Sequence, residues 1–174
     1  MDPVKEREFI ERLKELSTAD KAALRRNNGK LLSQADANAF ALFYRIIPEG
    51  ISYYNEDIWF VCACIESLWK DAAGTGISLA AAGRLVSNSE ENENGGGFEK
   101  RFTTLMDMDW DEDGFMLRKL LSAVRFLKQK DFYLDMAQMI YDLCHWNHED
   151  RYIQKKWARE YNKNTNEGDI TDVS

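Results

Sequence analysis

Residues 58–69 read IWFVCACIESLW, with Glu66 the one charged residue in the stretch. At helical periodicity this run is apolar on nearly every side, which marks a helix buried at the centre of a bundle rather than one lying on a surface. Asn55 or a neighbour is placed to begin it, and Gly74-Thr75-Gly76 ends it. Working outward toward the N-terminus, Pro48-Glu49-Gly50 stops a helix that carries Phe40, Phe43, Tyr44 and Ile47 and that Ser33 is placed to cap. A short helix before it holds Leu24 and ends at Asn28-Gly29. The first helix has Pro3 at its opening position and an apolar face of Phe9, Ile10, Leu13 and Leu16, and Ser17, Thr18 and Asp20 interrupt it.

Outward in the other direction, Ser78 opens a short helix, LAAAGRLV, and then residues 88–97, NSEENENGGG, contain no apolar side chain at all. Such a composition reads as a linker. Beyond it the spacing predicts helices over 98–106, 112–129, 132–146 with Asp131 as cap, and 149–162. Two prolines in the whole chain leave little to break them. The expectation is an all-α fold of about nine helices in two small packed bundles, 1–87 and 98–163, joined by 88–97 and followed by a frayed tail, 164–174. No repeat of fixed period relates the halves.

The 174 residues are 44% hydrophobic, 12% aromatic and 30% charged, the composition of a folded globular chain. No window approaches the roughly 20 apolar residues of a membrane span, and the N-terminus lacks the apolar core of a signal peptide, so a soluble, cytoplasmic protein without membrane contact is expected. Three cysteines, an odd number, argue against a disulfide scaffold.

A formal net charge of -7 conceals a segregation. Residues 49–99 hold two basic and nine acidic groups, whereas 21–30 hold four basic and no acidic, 118–130 five and none, and 151–163 five and one. On helices these cations form stripes: Lys21 and Arg25 share a face, Arg118 and Arg125 lie two turns apart beside Lys128, and Arg151, Lys155 and Arg159 follow at i, i+4, i+8 opposite Ile153, Trp157 and Tyr161. A single such stripe is usually a solvated face. Three together suit the phosphate backbone of a nucleic acid, which binds charge without regard to base sequence.

The catalytic inventory is nearly empty. Asp109, Asp111, Asp113 and Gly114 match the first half of a calcium loop, but Leu120 stands where the closing carboxylate belongs, so these acids read as an N-terminal cap for the helix that follows. Cys62, Cys64, Cys144, His145 and His148 have no metal-ligand spacing, and the cysteines read as core. Neither Gly74-x-Gly76 nor Gly95-Gly96-Gly97 carries the Lys-Ser/Thr of a phosphate loop. No metal and no cofactor are expected.

Ordered landmarks add a resemblance. Leu24-Arg25-Arg26, then Phe43-Tyr44-Arg45 with Pro48, Gly76-Ile77-Ser78-Leu79, Gly83-Arg84-Leu85, Lys100-Arg101-Phe102 with Leu105-Met106, Leu117-Arg118-Lys119-Leu120-Leu121, Leu143 with Trp146, Arg151, and Trp157-Ala158-Arg159 with Tyr161 together resemble the CasB family, the small subunit of the type I-E CRISPR complex Cascade. The resemblance spans about residues 20–162. It implies a non-catalytic all-α subunit of antiviral defence, with two copies expected head to tail along the large subunit and the CasC-type backbone subunits. There it holds the guide RNA–target DNA hybrid and the displaced strand through phosphate contacts. It further implies that Arg25, Arg26, Arg101, Arg118, Lys119 and Arg151 make such contacts. Lys119 keeps charge where the family has arginine but loses the bidentate fork. Arg45 and Arg84 also stand in family motifs, where a structural ion-pair role weighs equally. Two other classes remain from the residues alone: a helical adaptor that binds only proteins, and a metal-dependent nuclease using Asp109, Asp111 and Asp113.

Overall fold

The computed structural model describes residues 2–89 and 97–163. Among them the chain forms nine α-helices and no strand: α1 (Val4–Lys14), α2 (Thr18–Arg26), α3 (Ala37–Ile46), α4 (Glu56–Glu66), α5 (Leu79–Ser89), α6 (Gly97–Met106), α7 (Phe115–Gln129), α8 (Met136–Cys144) and α9 (Tyr152–Tyr161), with short 3-10 turns at Leu32–Gln34 and Tyr53–Asn55. The all-α expectation holds. As its sequence demands, α4 is buried along its length from Ile58 to Glu66. Phe9, Phe43, Phe60 and Trp59 meet around it edge to face, with Phe9 and Trp59 centroids 5.1 Å apart and Phe43 and Phe60 5.5 Å apart.

Chain order does not set the packing. α8 lies against α1 and α4, while α5 lies against α6, α7 and α9, so each half lends one helix to the other. A single apolar core therefore runs through both groups. The crossing is pinned where Ile77, just before α5, forms a parallel bridge with Leu134, just before α8: the Ile77 amide donates to the Tyr133 carbonyl at 3.0 Å and the Asp135 amide to the Ile77 carbonyl at 2.8 Å. The backbones meet so closely there that a Cβ on Gly76, whose φ is +77°, would lie 2.7 Å from the Leu134 carbonyl carbon. Only glycine fits both the dihedral and the space. Arg7 to Asp135, Ser78 to Glu160 at 2.6 Å and the Trp69 indole to the Phe132 carbonyl at 2.9 Å complete the seam.

Several boundaries differ from the periodicity reading, each for a local reason. Pro3 precedes the first helical residue rather than occupying it. Ser33 is taken up in the 3-10 turn, and Asp36 caps α3 instead, accepting from the Ala39 amide at 3.0 Å while Asn27 clamps its backbone and carboxylate. Asp131 has a left-handed φ of 65°, and the bridge to Ile77 engages Tyr133 and Asp135, so α8 starts only at Met136 with Asp135 as its cap. α7 starts at Phe115 and α9 at Tyr152, each three residues later than expected. Of the expected linker, Asn88 and Ser89 belong to α5 and Gly97 to α6, and 90–96 lie outside the described residues, as does the expected tail 164–174.

Candidate nucleic-acid interface

The long helix α7 turns Met116, Leu117, Leu120, Leu121, Ala123, Val124 and Leu127 inward. Its outward stripe is thereby fixed by the same 3.6-residue period: Arg118, Ser122, Arg125 and Gln129 fall at i, i+4, i+7 and i+11. Antiparallel to this stripe, α6 buries Phe98, Phe102 and Leu105 and presents Arg101 toward it. Arg101, Arg118, Ser122, Arg125, Phe126 and Gln129 line one open groove of about 270 Å³. No carboxylate lines it among the described residues.

What holds the guanidinium groups is as informative as where they sit. Arg101 lies over the Phe126 ring, 4.9 Å from its centroid, and donates to Ser122 Oγ at 3.1 Å and to the Gly97 carbonyl. Arg118 lies over the Phe115 ring at 4.6 Å. A ring face orients a cation without neutralising it, and Arg125 stands exposed beside them. Elsewhere some cations are spent on carboxylates: Arg45 on Asp20 at 3.1 Å, Arg7 on Asp135 at 3.4 Å and Lys156 on buried Asp142 at 2.6 Å.

The remaining sequence candidates scatter. Lys21 is half-buried at a separate cleft with Glu66 and Trp69, and Arg25 donates to the Ser67 carbonyl at 3.3 Å. Arg26, Lys119, Lys128, Lys155 and Arg159 are exposed. Arg151, with a left-handed φ of 53°, turns its guanidinium to the Met106 carbonyl, so it joins the start of α9 to the end of α6 rather than continuing a free stripe. Arg84 donates to the Glu160 carbonyl at 3.0 Å; with Arg45 it does structural work. Ser122, Phe126, Gln129 and Phe115 were missed by attending to charge alone, although the stripe through Arg118 and Arg125 already contained two of them.

The acids that resembled a calcium loop do something simpler. The Asp111 carboxylate accepts from the amides of Met116 (2.9 Å), Phe115 (3.0 Å) and Asp113 (3.1 Å), capping α7. Burial pushes its pKa up, but those three amides and Arg118 outweigh it and hold the carboxyl below the usual range. Among the described residues no three His, Cys, Asp or Glu side chains are grouped to hold a metal. Burial raises the thiols of Cys62 and Cys64 and pushes that of Cys144 to about 12, the behaviour of core cysteines. No described helix is long and apolar enough to cross a membrane.

Fold and groove define an all-α protein of nine described helices carrying an arginine groove that no carboxylate lines among the described residues. Residues 20–161 match the family model of CRISPR-associated protein Cse2, and the chain belongs to that family. A CRISPR-associated protein Cse2 of Thermus thermophilus is 33% identical over 81 residues, which span 45% of this chain and 44% of that relative; the matched stretch is thus less than half of either. Among solved structures, the M. ruber CasB crystal structure aligns with a TM-score of 0.73 at 21% identity over 98% of both chains. A chain of a CRISPR RNA-guided surveillance complex aligns with a TM-score of 0.69 at 19% identity over 99% of both.

Proposed function

We propose that this chain is a non-catalytic, cytoplasmic small subunit of a type I-E Cascade complex, in which the α6–α7 groove binds the phosphate backbone of guide–target hybrid or displaced strand and thereby stabilises the R-loop. The observation that carries this reading is the groove itself: three arginines converge on it, two of them positioned on ring faces, with no lining carboxylate among the described residues. Such a surface binds phosphodiesters by charge-assisted hydrogen bonds and leaves sequence to base pairing. Membership in the Cse2 family supports the partners: the large subunit, CasC-type backbone subunits, a second copy, guide RNA and target DNA. A net charge of -7 makes binding dependent on assembly, since the whole-molecule field opposes nucleic acid while the local groove favours it. The divisions 1–87 and 98–163 belong to the same proposal as stretches of sequence, each of which lends one helix to the packing of the other.

The test is target-DNA binding by the reconstituted complex with Arg101→Glu, Arg118→Glu and Arg125→Glu, at several salt concentrations. Loss of three phosphate contacts lowers affinity and reduces the slope of log affinity against log salt by about 3. Unchanged affinity and slope, in a complex containing the variant subunit stoichiometrically, leaves the protein-only adaptor as the function. Exposed aromatics on α3 and the turn before α4 favour protein contact at a second face in either case.

A further inference from the structure

A face remote in character from the arginine groove is left uncovered by the fold. Phe40 and Tyr44, one turn apart on α3, are 41% and 50% exposed, and Tyr53 and Tyr54, on the turn before α4, are 81% and 86% exposed. They form one patch. The Tyr44 hydroxyl donates to Glu56 Oε2 at 2.7 Å, which with burial and the nearby Tyr53 and Asp57 raises that phenol to about 12. Tyr53 and Tyr54 sit edge to face with centroids 6.1 Å apart. Neither ring finds a core partner, although tyrosine has only two side-chain torsions to fix and a large area to contribute when a partner arrives.

Acids outnumber cations in the sequence that forms the patch. Residues 49–57 include Glu49, Glu56 and Asp57 and no lysine or arginine. Of the cations beside these segments, Arg45 is paired with Asp20, and Lys5 donates to the Glu49 carbonyl at 3.5 Å. Carboxylates repel a phosphate chain, so aromatics in this setting do not make a strand-stacking platform. Ring faces beside carboxylates instead match arginine and lysine, which gain cation–π contact and an ion pair together. We infer that the Phe40, Tyr44, Tyr53, Tyr54 and Glu56 face docks an Arg/Lys-rich segment of a protein partner. The inference does not depend on the groove binding nucleic acid, and no groove residue is altered in its test.

The experiment titrates the full chain with a fluorescent peptide of alternating Arg and Ser at physiological salt. Tyr53→Ser/Tyr54→Ser keeps the charge and touches no core contact. It weakens the peptide by about tenfold or more, the loss expected on removing two anchoring rings. Glu8→Gln/Glu15→Gln, which removes two exposed acids, one on α1 and one at its C-terminal cap, changes affinity by less than about twofold. Equal binding by Tyr53→Ser/Tyr54→Ser and parent overturns the inference, as does equal weakening by the α1 pair, since either makes the attraction a matter of net charge. Binding of a single-stranded oligothymidylate, lost in the same tyrosine variant, with no peptide binding by the parent overturns it in favour of nucleic acid at this face.

Discussion

Replacing Gly83 with alanine tests the tight seating of the Phe98 ring of α6 against α5. Gly83 is buried in the middle of α5, and a Cβ there would lie 1.9 Å from Phe98 Cε1, 2.5 Å from Cζ and 2.7 Å from Cδ1. The ring has nowhere to go. Phe98 is 1% exposed and packed against Phe102 at 5.9 Å, Phe126 at 6.1 Å and Tyr161 at 6.1 Å. Alanine in a helix interior gains about 1 kcal/mol over glycine, whereas overpacking a filled core loses up to about 3 kcal/mol. The worked balance is a destabilisation of about 2 kcal/mol, or about 4–8 °C in Tm for a chain of this size.

Urea and thermal unfolding of Gly83→Ala, Phe98→Leu and the double variant measure it. Leucine relieves the clash, so the double variant is more stable than the sum of the single losses by at least about 1 kcal/mol. Gly83→Ala as stable as the parent, or additivity in the cycle, refutes the reasoning. Because Phe98 backs Phe126, and Phe126 carries the Arg101 guanidinium, the same substitution also disturbs the groove.

Glu66, 5% exposed, has its carboxyl raised by burial to about 7 from 4.5, against the hydrogen bond from Tyr133. A raised acid favours the folded state when protonated, so this group's contribution falls as pH rises through about 7. Glu66→Gln is therefore more stable than the parent at pH 8 by about 3 kcal/mol, with the difference closing toward pH 5, as read from urea midpoints across pH. Asp111→Ala removes the acceptor for two α7 amides and that of Asp113 and lowers stability by about 1–2 kcal/mol at pH 7. Since that carboxyl is held below its usual range, the difference from the parent closes as pH falls through it, which acid unfolding of both proteins checks. Gly76→Ala puts a Cβ against three backbone atoms at 2.7–2.9 Å, while Gly74→Ala, at a similar φ of +79°, meets nothing within 4 Å. The first loses more than about 2 kcal/mol and the second about 1 kcal/mol by denaturation; equal losses would show that dihedral strain alone acts.

Each helix was legible in the sequence because its apolar period must match 3.6 residues to bury a face. α4 is the limiting case, apolar all round and buried all round. Neighbours were not legible. The period of α8 says that Met136, Met139, Ile140 and Leu143 point inward, but nothing in it names α1 and α4 rather than α7 and α9 as the helices they meet. Caps failed where a tertiary contact took the backbone first, as the Ile77–Leu134 bridge does for residues 132–135. For the site, the α7 stripe was legible and the joining of Arg101 to it was not, since that needs the α6–α7 pairing.

Charge patterning and the family resemblance together marked eleven cations as equivalent, and the structure divides them by what they rest on. Arg25 and Arg151 end on backbone carbonyls, which fixes helices to one another and removes donors from any ligand. Arg101 and Arg118 rest on Phe126 and Phe115. A benzyl ring desolvates one face of a guanidinium and restricts its torsions, yet cancels none of its charge, so less conformational entropy is lost when an anion binds the other face. This resolves the apparent conflict between a net charge of -7 and an electrostatic groove: long-range field and short-range donor geometry are set by different residues. The separation has a direct consequence for mutagenesis. Phe126→Leu and Phe115→Leu leave every charge in place, so the salt slope of binding by the assembled complex stays that of the parent, while affinity falls because the arginines must be ordered at the moment of contact. A salt slope reduced as much as by Arg→Glu changes would show instead that the rings hold the arginines in the groove at all, and not merely in one orientation.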